Sequence, residues 1–333
     1  MTDRRPPEIL LELSSAHILA RALHVVAEIG TADDLGAEAR SAEELAGGSG
    51  VTPDALGRLL RLLETQGVFS ADEAGRWRHT ESSRWLRSDH PTSVRAFVRM
   101  MGMPFGWGSF TALDHALRTD EPSVRVLDPA GPWAYLAAHP DQNAIFQQAM
   151  LAKAHGDVAA VLAAYDFSRH RRIADVAGGG GHLINAVLAA HEGTSGVLFE
   201  LPHVAATVPA SPRLEVVAGD FFADPLPACD AYLLMNIVHD WDDAAAGAIL
   251  AAVAAAGRPG ATVLLVETLL PEGPEPHWAK TLDVMMLALT GGRERTLTAY
   301  RDLLDAADLE CERAIPTATA FSIVQARVRQ TGA

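Results

Sequence analysis

The run Ala231-Tyr-Leu-Leu-Met-Asn-Ile-Val238 limits the folds open to this chain more than any other stretch. It contains neither Gly nor Pro, and its apolar residues do not alternate with polar ones. A strand that is apolar on both faces must be covered on both, as at the centre of a parallel sheet. The run then breaks into His239-Asp240-Trp241-Asp242-Asp243. Open α/β sheets bind their ligands beyond the carboxyl ends of the strands. The stretch therefore delivers a His, an acid and a Trp to the edge where chemistry is expected. A plain helix cap at His239 is the competing reading.

Flanking patterns supply the remaining strands. Ile173–Val176, Ser195–Leu201, Leu214–Gly219 and Thr262–Thr268 read as strands, with helical patterns from His182 to His191 and from Pro202, Asp242 and Pro276. Alternating strand and helix predicts a doubly wound parallel sheet. After a helix over Thr298–Ala307, Leu309–Ile315 and Phe321–Val328 are two strands joined by a short link, which predicts an antiparallel hairpin. A standard dinucleotide domain does not end that way.

The chain has 333 residues, enough for two domains. Ile9–Ile29 predicts a helix with a broad apolar face of Leu10, Leu13, Ile18, Leu19, Leu23, Val26 and Ile29, wide enough to meet a partner chain as well as its own domain. Ser41 and Glu44 form a capping box, and Thr52-Pro53 opens a helix with Leu56, Leu59, Leu60 and Leu63 inward and Gly67 as its stop. Val68–Ser70 and Trp77–His79 around Gly75 predict a hairpin, completing a winged helix. Its second helix carries only Arg58 and Arg61 as bases, offset by Asp54 and Glu64, so a structural role is preferred to DNA binding. Residues 92–165 read as further helices, with a Met/aromatic cluster over 97–110 and with Phe146, Met150 and His155 on a helix from about Asp141 to Tyr165. Such a cluster suits an apolar ligand wall or ordinary core.

The charge balance, 42 acids against 27 bases for a net charge of -15, disfavours nucleic acid as a partner. Cys229 and Cys311 have no metal-ligand spacing and suggest no disulfide framework, which fits a reducing cytoplasm. Residues 1–10 lack an apolar signal core, and no stretch approaches membrane-spanning length free of charge. The expectation is therefore a cytoplasmic protein with no membrane partner and no metal.

Five motifs carry chemistry. Asp175-Val-Ala-Gly-Gly-Gly-Gly181 is a strand-to-helix turn that lets backbone approach a ligand. It departs from the dinucleotide fingerprint, whose third glycine would fall at Leu183 or Ile184. Glu200 ends the second strand, where an acid can hold ribose hydroxyls. Asp220 followed by Phe221 and Phe222 can accept from an adenine amino group and cover its ring. The fourth motif is the His239 stretch. The fifth pairs Glu267, ending strand five, with Glu294 in Gly291-Gly-Arg-Glu-Arg-Thr296. A His flanked by two carboxylates is oriented and made more basic.

In order and spacing, DVAGGGG, FELPHV, GDFF, HDWDD, VETLLP, LDVMML and GGRERT resemble the class I S-adenosylmethionine-dependent O-methyltransferases, in the branch shared by plant phenolic and bacterial natural-product enzymes. The resemblance reaches SAEELA, ALGRLLRLL and GVF, and so covers nearly the whole chain. It implies an α/β fold: a Rossmann-like doubly wound sheet with a C-terminal antiparallel hairpin, preceded by a mostly helical winged-helix dimerisation domain. The implied domains are 1–100 for dimerisation, 101–165 for helices lining the acceptor pocket, and 166–333 for cofactor binding. The implied partners are a second copy of the chain and a small aromatic acceptor.

Carried over residue by residue, the resemblance implies cofactor contacts from Asp175, Gly178, Gly179, Gly180, Glu200, Asp220, Phe221, Met235, Asn236 and Trp241. His239 is implied as general base with Glu267 and Glu294 beside it. Phe97, Met101, Trp107, Phe146, Met150, Asp240, Asp283 and Met286 are implied to face the acceptor. S-adenosylmethionine is the implied methyl donor and S-adenosylhomocysteine the product, with no metal. Two departures stand out. Ala177 replaces the first glycine of the usual DVGGG, and a methyl group is expected to fit there with φ negative. Met235 stands where relatives carry a basic or small polar residue. Alternatives with the same fold and cofactor are N- or C-methylation and a non-methylating, hydroxylase- or decarboxylase-like tailoring reaction. A DNA-binding regulator and a nicotinamide dehydrogenase rank below these.

Overall fold

The structure, a computed structural model, describes residues 5–330, apart from the side chains of residues 153–155. Residues 1–4 of the N-terminal stretch and the side chain of His155 thus lie outside the described residues. The chain forms two compact units, Met1–Gly108 with Tyr135–Lys153, and Ser109–Ala134 with Ala154–Ala333. Residues 101–165 are divided between them.

In the first unit a helix spans Pro6–Glu28, with Pro6 and Pro7 where a missing N–H costs nothing. Its C-terminal half buries Ala22, Val26 and Ala27, whereas Leu10, Leu11 and Leu13 near its start are about 70% exposed. By length and composition this helix could cross a membrane, though it carries Glu8, Glu12 and Arg21. Ala42–Ala46 follows, and Ser41 and Glu44 close their capping box in both directions. Pro53–Glu64 buries Leu56, Leu60 and Leu63, and Thr52 starts it without a side-chain cap bond. β1 (Phe69–Ala71) and β2 (Trp77–His79) pair antiparallel, completing the winged helix. The Glu64 carboxylate accepts from the Ala71 N–H at 2.7 Å, so an acid of the second helix is committed to the wing. Leu35, Leu45, Phe69, Trp77 and Leu86 join the helical leucines in one core.

Most of the Met/aromatic cluster lies on the helix Arg95–Gly102 and the single wide turn Pro104–Gly108, with Met103 between them and Phe110 on Ser109–Thr111. Gly106 is required there, because a Cβ would lie 2.6 Å from the Met100 carbonyl oxygen. Phe105 packs edge-on against Phe146 at 6.1 Å, and Trp107 against His24 at 5.5 Å.

The second unit holds β3 (Arg172–Val176), β4 (Ser195–Glu200), β5 (Leu214–Ala218), β6 (Ala231–Met235), β7 (Thr262–Thr268), β8 (Leu309–Pro316) and β9 (Phe321–Val328). Their order is β5-β4-β3-β6-β7-β9-β8. The first five run parallel, and β9 is antiparallel to both β7 and β8, as the terminal hairpin requires. Alternate residues of the central strands enter two cores, one on each face. Ala174, Tyr232 and Leu265 belong to one, and Ile173, Leu233 and Leu264 to the other. Each fully buried Leu, Ile or Val contributes about 1.5–3 kcal/mol, which fixes the register of strands apolar on both faces. Strand order reverses between β3 and β6, and the crevice of a doubly wound sheet opens beyond the carboxyl ends at that point.

Two of the boundaries that differ from expectation shape the sheet edge. β6 ends at Met235 rather than Val238, because Asn236 turns left-handed with φ 56°. Val238–Asp240 is then a tight helical turn, which swings His239 back towards the sheet edge. Asp242, expected to begin the next helix, instead caps it by accepting from the Ala245 N–H at 2.8 Å.

Candidate active site

Two turns at the carboxyl edge of the sheet carry the candidate residues: one follows β3, the other β6. Asp175, the last residue but one of β3, is 1% exposed. A Cβ on Gly178 would come 2.4 Å from its carboxyl carbon, so only glycine lets the turn fold over that side chain. Neither Asp175 oxygen has a hydrogen-bond partner among the described residues. Burial pushes its pKa up to about 7, the nearby Ile184 N–H holds it back in part, and the charge of Glu200 adds to the rise. Gly179 and Gly181 are left-handed, with φ 58° and 72°. Ala177 is too, at φ 56°, so the expected negative φ is not what the turn adopts. An L-residue there is strained by about 1–2 kcal/mol. The Glu200 carboxylate accepts from the Gly179 N–H at 2.9 Å and the Leu201 N–H at 2.8 Å, tying the end of β4 to the glycine turn.

Beyond β5, the Asp220 carboxylate accepts from the Phe222 N–H at 2.9 Å. Phe221, Phe222 and Trp241 form an edge-to-face group with centroids 4.7–5.9 Å apart. The structure thus joins the third and fourth motifs through their rings, and brings in Phe222, which the motif resemblance does not assign to the cofactor.

His239 is 5% exposed, and its Nδ1 lies 2.7 Å from Glu294 Oε1. Glu267 is less direct. Its Oε2 is 3.9 Å from Nδ1, while its Oε1 accepts from the Ile237 and Val238 N–H groups at 3.2 and 2.9 Å. Glu294 therefore orients the imidazole and Glu267 holds the turn that carries it. Asp240 Oδ1 lies 3.7 Å from Nε2. Burial works to lower the His239 pKa, but Glu267, Asp240 and Glu294 outweigh it and raise it to about 9. Glu267 is itself pushed up to about 7, by burial first and against the pull of His239.

The segment Gly291–Thr296 grips this turn through contacts that its sequence alone does not reveal. The Arg293 N–H donates to the His239 carbonyl at 2.8 Å. A Cβ on Gly292 would lie 2.0 Å from that same oxygen. Arg295, 2% exposed, donates to the Val238 and Trp241 carbonyls at 2.9 and 2.8 Å. Paired glycines before a charged run were the available signal, since they mark close backbone approach.

Among the residues implied to face the acceptor, Phe97, Met101, Trp107, Phe146 and Met150 belong to the first unit, and Asp240, Asp283 and Met286 to the second. Asp283 accepts from the Glu294 N–H at 2.9 Å, so it supports the acid that orients His239. Met286 is buried, with its sulfur 3.7 Å from the Thr290 hydroxyl. Met235 pairs with Val266 in register and packs on the sheet core. The Asn236 N–H donates to the Val266 carbonyl at 3.1 Å, and its side-chain oxygen is buried without a hydrogen-bond partner among the described residues.

Comparison with known proteins places this geometry. Residues 110–310 match the O-methyltransferase domain and residues 11–89 the O-methyltransferase dimerisation domain. The chain is 34% identical to phenazine O-methyltransferase PhzM of Lysobacter antibioticus, over 96% of this chain and 95% of that one. It is 37% identical to the 3-amino-4-hydroxybenzoate 4-O-methyltransferase of Streptomyces cremeus, over 91% and 85%. A crystal structure of the O-methyltransferase NcsB1 from neocarzinostatin biosynthesis, in complex with S-adenosylmethionine and 2-hydroxy-5-methyl naphthoic acid, superposes with a TM-score of 0.81. It is 34% identical and covers 93% of this chain and 95% of that one. With its winged helix ahead of a doubly wound sheet that closes on an antiparallel hairpin, the chain belongs to the S-adenosylmethionine-dependent O-methyltransferase family.

Proposed function

We propose that the protein transfers the methyl group of S-adenosylmethionine to a phenolic hydroxyl of a small aromatic natural product, with His239 as general base. The observation that carries the reading is the buried imidazole whose Nδ1 is committed to Glu294 at 2.7 Å, which leaves Nε2 as the nitrogen to take a proton. A phenol titrates near 10, and a base held near 9 is well matched to it. Nε2 would take the acceptor proton and Glu294 would stabilise the resulting imidazolium, while the phenolic oxygen would receive the sulfonium methyl group of S-adenosylmethionine, leaving S-adenosylhomocysteine.

The residues after β3 suit the cofactor. Asp175 is a buried carboxylate whose only nearby donor is the Ile184 N–H among the described residues, and the glycine turn keeps side chains off it, which fits the amino group of a methionine moiety. Glu200 fits ribose hydroxyls, and Asp220 with Phe221 and Trp241 fits adenine. Bound there, S-adenosylmethionine supplies an activated methyl group, so the protein has only to align and deprotonate the acceptor. Met286, buried in the same unit as the His239 turn, supplies apolar area for a flat acceptor.

The same reading makes the protein a cytoplasmic homodimer that acts on a diffusible small molecule. The dimerisation-domain match and the exposed Leu10, Leu11, Leu13 and Ile18 support the dimer. Gel filtration at the mass of one chain would contradict it. For the chemistry, radiolabelled S-adenosylmethionine is offered with a panel of phenols to the protein and to His239→Gln. Turnover is expected to fall about 10²–10⁴-fold in the variant, with cofactor affinity kept within a few-fold. Near-normal turnover in His239→Gln would sink the base assignment.

A further inference from the structure

We infer that Arg295 is a positioning residue for both substrates, acting through the two carbonyls that bracket the catalytic turn. The inference rests on the proposed roles of His239 and Trp241. Its basis is the donor geometry. One planar guanidinium donates to the Val238 carbonyl at 2.9 Å from Nη1 and to the Trp241 carbonyl at 2.8 Å from Nη2. Those carbonyls lie immediately before His239 and on the Trp241 residue itself. The span of the guanidinium therefore sets the distance between the residue assigned to the acceptor and the residue assigned to adenine.

The rest of its environment aims the side chain. Nε and Nη2 reach Asp243 Oδ1 at 3.0 and 2.8 Å, which fixes the fork from the helix that follows the turn. The face of Tyr300 lies 6.0 Å from the guanidinium carbon. The backbone of Arg295 is anchored as well, its carbonyl accepting from the Leu270 N–H at 3.0 Å just past β7. Arg295 thus ties the end of β7, the His239 turn and the following helix together in one place. Charge-assisted hydrogen bonds from a buried guanidinium are the stronger kind, and their planar fork is what a lysine cannot reproduce. Glu294, the next residue back, orients the imidazole ring. Glu294 therefore fixes the ring, while Arg295 fixes the backbone that carries it.

The test is a double-mutant cycle between Arg295→Lys and His239→Gln, read as kcat and as cofactor affinity by calorimetry. Thermal unfolding and one-to-one cofactor stoichiometry show that each variant is folded. Arg295→Lys alone is expected to lower kcat on the order of 10²-fold, because small misplacement of a base is costly. It is also expected to weaken cofactor binding several-fold through Trp241. In the His239→Gln background the same change is expected to lower kcat by less than about three-fold, since residues that act as a unit are non-additive. The cofactor effect should persist there. Wild-type kcat in Arg295→Lys, or an equal loss of kcat in both backgrounds, overturns the inference. If His239→Gln alone keeps its turnover, the base reading fails. The inference is then judged by cofactor affinity: weakened binding in Arg295→Lys upholds it and unchanged binding overturns it.

Discussion

The turns after β3 and β6 stand at the carboxyl ends of adjacent strands, yet they are built on opposite plans. The β3 turn keeps an ionisable group with no side-chain partner among the described residues. Asp175 is buried under glycines, its oxygens make no hydrogen bond of good geometry among the described residues beyond the pull of the Ile184 N–H, and the backbone above it is left-handed at Ala177, Gly179 and Gly181. The β6 turn is tied down along its backbone from Ile237 to Trp241, although the Asn236 side-chain oxygen at its start has no partner among the described residues. The Val238, His239 and Trp241 carbonyls, the Ile237 and Val238 N–H groups and one imidazole nitrogen all meet protein partners. A turn that binds a charged ligand must hold unmet hydrogen-bonding capacity, at a cost to the unliganded protein. A turn that carries a base has to fix an orientation and leave one nitrogen available.

The comparison breaks first at the orienting acid. Glu294→Gln is expected to lower turnover on the high-pH plateau, where His239 is deprotonated in both proteins, by about ten-fold or more while leaving cofactor affinity near normal, measured by labelled methyl transfer and calorimetry. Gly178→Ala, which drives a methyl group into the Asp175 carboxyl, is expected to do the reverse and weaken the cofactor by at least about ten-fold. A loss of turnover alone would show that the two turns are not separable.

Acidity sharpens the contrast. A base works only when deprotonated, so kcat/KM should rise with pH through the His239 pKa, held near 9 in the free protein. Glu294→Gln removes one of the charges that raise it and should move the rise to lower pH. At the other turn, Asp175 is raised above its ordinary value, so it stabilises the fold below about pH 4 and loses that contribution as pH climbs through about 7. Asp175→Asn should therefore raise the melting temperature of the cofactor-free protein at about pH 8, much less so at about pH 5, while weakening cofactor binding. An equal gain at both pH values would mean that the charge of Asp175 is not the source of the instability. The smallest effect belongs to Ala177→Gly. It relieves a left-handed alanine and should stabilise the protein by about 1 kcal/mol or less, because glycine also gains freedom in the unfolded chain.

Periodicity and punctuation carried the fold into the sequence. Apolar runs on both strand faces, a glycine turn after β3 and two consecutive terminal strands were enough for the sheet and its antiparallel end, because each is a local pattern with one way to bury its faces. The Ser41–Glu44 capping box was legible for the same reason. So were the chemical identities at the strand ends, His239, Glu267 and Glu294, once seven motifs were read together. Their division of labour was not. A sequence cannot say that Glu267 holds backbone N–H groups while Glu294 takes the imidazole, nor that Asp283 supports Glu294, since these depend on sub-ångström choices among neighbours far apart in the chain. The left-handed turns at Ala177 and Asn236 were hidden for a related reason: neither residue type demands that backbone, and the surrounding structure imposes it. By itself, then, the sequence determined which layers form and which chemical groups reach the sheet edge. Only the tertiary structure decided which of those groups meet protein partners on several sides, as Arg295 does, and which are buried without a side-chain partner among the described residues, as Asp175 is. Directional bonds between distant segments settle that, and no local pattern encodes their geometry.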